Sequence, residues 1–190
     1  ELLKLLAAAD PTAAVRAMQG AGVLEAILPC VRPLSVFETL CQLSDDPVLR
    51  LAALLPADPA SVSEVVSELR LSNAVRNRLD AVVAPGPEVS PSMGPIEARA
   101  AIYRLGRQAF DDRLVLTQAV LGDASALRHL EPGWTAPRLP VGGKDVARLG
   151  LAPGPQTGAV LKAFEEAWIA ADFPDAGHQE RLAALIAERA

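Results

Sequence analysis

Apolar positions recur three and four residues apart along almost the whole chain, the period of helices packed against a core. Leu2, Leu3, Leu5 and Leu6 open the pattern and lead into Asp10-Pro11, where Asp10 suits an N-cap and Pro11 the first helical turn. A helix through Val15 and Met18 is expected to reach Gly20, and a short one begun by Gly22 to end at Pro29. Leu34 to Leu43 reads as the next helix. The stretch from Asp46-Pro47 through Leu55 is the most apolar and belongs at the centre of the core. Asp58-Pro59 repeats the cap-plus-proline device ahead of Val62, Val65, Val66 and Leu69. Ser72 or Asn73 then caps a helix bearing Val75, Leu79, Val82 and Val83.

Proline and glycine punctuate the remainder. The run APGPEVSPSMGP over 84–95 must be a loop. Helices over 96–108 and 109–121 are expected to follow, ending at Gly122-Asp123. The proline-rich stretch EPGWTAPRLP, 131–140, is the best candidate for a domain boundary. Beyond it lie a short helix from Lys144 to Leu149, a tight turn, a long helix from Gln156 to Ala171, and an amphipathic helix over 176–189. No repeat of constant period is present. The expected fold is all-α: a multi-helical, bundle-like body and a smaller C-terminal helical tail.

Composition sharpens this picture. Apolar residues make up 51% of the chain but aromatics only 4%, so the core must be aliphatic and rich in the helix formers Ala and Leu. No apolar stretch approaches the roughly 20 residues of a membrane span, and nothing reads as a signal peptide. Cys30 and Cys41 lie far apart, outside any CxxC motif, and with only His129 and His178 they make no zinc ligand set. Reduced core thiols in a cytoplasmic protein are expected.

The net charge of −5 argues against a non-specific polyanion binder, but its distribution is uneven. Residues 1–69 carry 4 basic and 9 acidic side chains, and residues 149–190 carry 3 and 6. Residues 70–148 carry 11 and 8, so a mildly positive middle separates two negative ends.

Three segments have more identity than a generic helical domain requires. They are ELLKLLAAADPTAAVRAMQGAGVLEAILP (1–29), VLRLAALLP with the later RLSNAVRNRL (70–79), and LPVGGKDVARLGLAPGPQTGAVLKAFEEAWIAADF (139–173). In this order and spacing they resemble the neck, body and tail of bacterial tRNA nucleotidyltransferases of the CCA-adding and poly(A) polymerase type. The resemblance covers essentially the whole chain, and the tail pattern is its most specific part. It implies the end of the neck helices over 1–30, a helical body over 31–132 and a tail domain over 138–190.

The same resemblance implies a catalytic head elsewhere, which would take Mg and CTP or ATP and add nucleotides to a tRNA 3′ end. This chain reads as a fragment without that head, opening at Glu1 in mid-helix pattern. Asp45-Asp46 and Asp111-Asp112 fall at a helix start and on a helix, where neighbouring side chains point about 100° apart and clamp a metal poorly. Gly142-Gly143-Lys144-Asp145 resembles the head's GG-x-x-R-D loop but lies at the wrong end of the chain. No catalytic residue, metal ligand or cofactor is therefore assigned to this part, and alone it is expected to be inactive.

What remains is chemistry of contact with tRNA. Arg70, Arg76 and Arg78 surround a helix N-terminus, where free amides and guanidinium groups can converge on a phosphate; they can equally pair with Glu68 or Asp80. Arg104 and Arg107 lie one turn apart, with Asp111 four residues after Arg107. Lys144, Arg148 and Lys162 flank the turn 150–155, which suits either phosphate contact or hairpin packing. Trp168, on a stripe with Leu161 and Phe164, is expected in the core, and Trp134 is expected to pin tail to body. The implied function is to hold the acceptor stem and elbow by shape. Other classes are a helix-hairpin-helix DNA-binding module, suggested by LGLAPGPQTGAVL, and a helical oligomerisation domain. The oligomeric state stays open.

Overall fold

In a computed structural model, residues 1–28, 30–124 and 129–188 are described. Among them the chain is all-α, with twelve helices and no strand. None of these helices is long and apolar enough to cross a membrane.

The first three helices are α1 (Leu2–Leu6), α2 (Thr12–Gly20) and α3 (Val23–Ile27). α2 starts one residue later than the proline suggests. Asp10 Oδ1 accepts from both the amide and the hydroxyl of Thr12, at 3.0 and 2.5 Å, so the carboxylate anchors the turn itself. The end assigned to Pro29 lies outside the described residues. α4 (Leu34–Leu43), α5 (Pro47–Leu54), α6 (Pro59–Glu68) and α7 (Asn73–Val83) follow. Asp46 caps α5 through the amides of Val48 and Leu49, Asp58 caps α6 through Ser61, and Ser72 caps α7 through Val75.

α5 is the central element, as its composition requires. Leu51, Ala53 and Leu54 are fully buried; each leucine contributes about 2 kcal/mol through the area it removes from water. Its one charged residue, Arg50, is also buried, at 1% exposure. Arg50 Nε donates to the Ser44 carbonyl at 2.9 Å, and Nη1 to those of Leu6 and Ala8 at 2.7 and 2.6 Å. The guanidinium thus satisfies carbonyls at the ends of α1 and α4 that no helix continues to cover. Leu6, Val15, Leu24 and Leu28 share one core with Phe37, Leu51, Leu79 and Leu116, so the first 28 residues pack on the body rather than beside it.

α8 (Pro95–Leu105) and α9 (Arg107–Val120) meet at Gly106, whose φ of +80° breaks the helix two residues before the boundary expected from pattern. That backbone region suits glycine, and the apolar periodicity carries straight across it. The tail comprises α10 (Gly143–Arg148), α11 (Pro155–Ala170) and α12 (His178–Ala187), with Gly150 at φ +91° after α10.

One helix serves both units. Ala98, Ala101 and Ile102 of α8 pack with Phe110 and Leu114 of α9, while Ala100 and Tyr103 pack against the tail core of Val146, Phe164 and Trp168. Trp134 touches both clusters, and Trp168 is 3% exposed. Of the seven aromatic side chains, Tyr103, Trp134, Trp168 and Phe173 converge at this junction, with ring centroids 5.1 to 5.9 Å apart.

Candidate nucleic-acid interface

The eight cationic side chains singled out by the sequence divide evenly. Arg70, Arg76, Lys144 and Lys162 are exposed and make no side-chain hydrogen bond or ion pair among the described residues. Arg78, Arg104, Arg107 and Arg148 are committed to acids. Sequence adjacency grouped Arg78 with Arg70 and Arg76, but the fold treats it differently.

Arg78 Nε and Nη2 donate to the two oxygens of Asp112 at 2.7 and 2.8 Å, and Nη1 donates to Asp46 Oδ2 at 2.6 Å. Asp112 is 2% exposed and also accepts from Gln108 at 2.9 Å. One aspartate from each Asp-Asp pair therefore serves this arginine. Burial acts most strongly on Asp46, upward, yet the Arg78 hydrogen bond and the Leu49 and Val48 amides together hold its carboxyl below the usual range.

Arg107 is held by Asp111 and the Leu130 carbonyl, each at 3.1 Å, and by the Glu131 carbonyl, with its guanidinium over the Phe110 ring. Arg104 Nη2 donates to Glu166 at 2.6 Å, and Arg148 Nη1 to Asp145 at 3.0 Å. Arg104 thus joins α8 to α11. It has company there: Arg99 donates to both oxygens of Asp172 at 2.8 and 2.6 Å and to Glu131 at 2.8 Å, and Tyr103 donates to Glu165 at 2.7 Å. The Arg99 hydrogen bond holds the Asp172 carboxyl below its ordinary value. Burial first, and then Glu165, push the Tyr103 phenol up to about 12.

Although paired, Arg78 and Arg107 come together. They line opposite walls of an open cleft of about 550 Å3 between α7 and α9, with Asn77, Gly106 and Gln108. Gly106 offers no side chain to cap α9, so the first amides of that helix face this cleft's end without a side-chain acceptor. Arg76 is next to Asn77 on α7, and Arg70 stands at φ +49° on the turn leading into it. Asn77, Gly106 and Gln108 were missed by sequence reasoning. Gly106, a lone glycine inside a continuous helical pattern, is the one that carried a signal.

Lys144 and Lys162 sit on α10 and α11 of the tail hairpin, whose start is fixed by Asp145 accepting from the Gly142 amide at 2.8 Å. No protein-family model and no curated protein matches the chain.

Proposed function

We propose that this chain is the non-catalytic, tRNA-holding region of a CCA-adding or poly(A) polymerase-type nucleotidyltransferase, acting in the cytoplasm with a catalytic head that supplies the metal and nucleotide chemistry. The observation that carries the reading is the exposed start of α7. There Arg70, on the turn into α7, and Arg76, on α7 itself, are two exposed guanidinium groups without a protein partner among the described residues, carried by the helix whose Asn77 and Arg78 line the cleft at the uncapped end of α9. A phosphate backbone laid along α7 finds free donors in Arg70 and Arg76, while Arg78 and Arg107 in the cleft are already paired with acids. Lys144 and Lys162 supply a second contact point on the tail. Recognition is then by the shape of a double-stranded stem, with affinity set by few charges and strongly weakened by salt.

The test is binding of deacylated tRNA against a DNA duplex of equal length across a salt titration. The reading expects tRNA to be preferred, and Arg70→Ala with Arg76→Ala to flatten the salt slope by about two phosphate contacts. Equal or better binding of the DNA duplex favours the helix-hairpin-helix reading of the α10–α11 turn. Dimerisation without nucleic-acid affinity at low salt favours an oligomerisation domain.

A further inference from the structure

A second concave site lies at the opposite end of α7. The ends of α5, α7 and α9 and the start of α6 enclose a cleft of about 350 Å3, near the lower end of the range for small-ligand pockets. Its floor is aliphatic: Leu55, Val62, Leu79 and Leu116 are all buried. Its rim carries Val120 and Leu121, 49% and 66% exposed.

The charged side chains on its wall are Arg32, Arg113 and Glu88. Arg113 lies across the end of α7, where Nε and Nη2 donate to the Ala81 carbonyl at 3.1 and 2.7 Å and Nη2 to that of Ala84 at 2.6 Å. Arg32 is fixed through its backbone, the amide donating to the Leu54 carbonyl at 2.8 Å. Among the described residues neither guanidinium has a carboxylate within ion-pair distance. Two cations thus stand against one acid in an otherwise oily cleft. Such a wall favours a guest bringing apolar surface and one negative charge. A nucleic-acid backbone would cover the cations and leave the aliphatic floor wet.

We propose that this cleft binds a small amphiphilic monoanion, a carboxylate or sulfonate head on an apolar body of medium acyl length or two rings. The head pairs with Arg32 and the free edge of Arg113, and the body covers Leu55, Leu79 and Leu116.

The test uses the whole chain with decanoate, its uncharged counterpart decan-1-ol, and the fluorescent sulfonate 8-anilinonaphthalene-1-sulfonate. Decanoate is expected to bind saturably at one site, displace the fluorophore, and exceed decan-1-ol in affinity by about tenfold, the worth of one charge-assisted contact. Arg32→Gln should cut that advantage several-fold, with Arg113 keeping the remainder, and leave decan-1-ol binding unchanged. Thr117→Trp, which fills the cleft from α9, should abolish binding of both while the protein keeps its helical content. Equal affinity for acid and alcohol overturns the proposal, as does an Arg32→Gln protein that binds decanoate undiminished. Binding that survives Thr117→Trp places the ligand elsewhere and overturns it too.

Discussion

Arg78 grips both carboxylate oxygens of Asp112 across 34 residues of chain, tying the middle of α7 to the middle of α9. With Asp46 on the third donor, one guanidinium joins three helices, since Asp46 is also the cap of α5. Removing Asp112 leaves a half-buried cation with a single acid. Asp112→Ala is expected to destabilise the fold by about 2–3 kcal/mol, below the range for fully buried pairs because Arg78 keeps some solvent. Urea unfolding followed by circular dichroism measures it, and a loss under 1 kcal/mol refutes the structural role given to this pair.

Arg50 makes the opposite bargain, with carbonyls in place of acids. Arg50→Lys keeps the charge but cannot reach the ends of α1 and α4 with one planar fork. The expected cost is about 3 kcal/mol, from buried carbonyls left unmatched and a misplaced ammonium. Protection of the Lys4–Ala8 amides in hydrogen exchange should collapse ahead of the rest, and uniform protection would contradict the anchoring role.

Tyr103 is the single tyrosine of the chain, so its ionisation can be followed directly by absorbance near 295 nm. A half-point near 12 is expected in the native protein, and Glu165→Gln should lower it without restoring the ordinary value, because burial is the larger cause. A phenol pushed up in the fold supports it fully below the unfolded value of about 10, and that support fades as pH rises towards 12. A native half-point near 10 would mean that Tyr103 faces water.

The acid side has the reverse sign. Asp172, Asp46 and Asp145 all sit below the ordinary carboxylate range in the fold, held respectively by Arg99, by Arg78 acting against burial, and by the Gly142 amide. Their support is complete above about pH 4 and is lost as pH falls through the lowered folded values. Stability should therefore be flat from pH 7 to 5 and drop steeply below 4. Asp172→Asn, which keeps the shape that tolerates φ of +61°, should flatten part of that drop. An unchanged acid limb would remove Asp172 from the account.

Helix order was legible because apolar spacing, Asp-Pro starts and glycine stops act locally. Leu34–Leu43 and the caps at Asp46, Asp58 and Ser72 stand where the residues put them. The partners of the arginines were not legible. Glu68 and Asp80 were the neighbours in sequence, yet Arg78 chose Asp46 and Asp112, brought in by helix packing across 32 and 34 residues. The same holds for the junction: an aromatic content of 4% says nothing about four rings meeting in one place. Glu131, Asp172 and Phe173 adopt positive φ there, a conformation no local motif announces.

Because α8 carries residues of both cores, the tail is not hung on the body by its proline-rich connection alone. A pull on α11 arrives through Tyr103 and Arg104, and one on the turn after it through Arg99, as torque along one rod, 62 to 73 positions earlier in the chain. Cutting the connecting segment between Trp134 and Val141 would then leave two pieces that still hold each other.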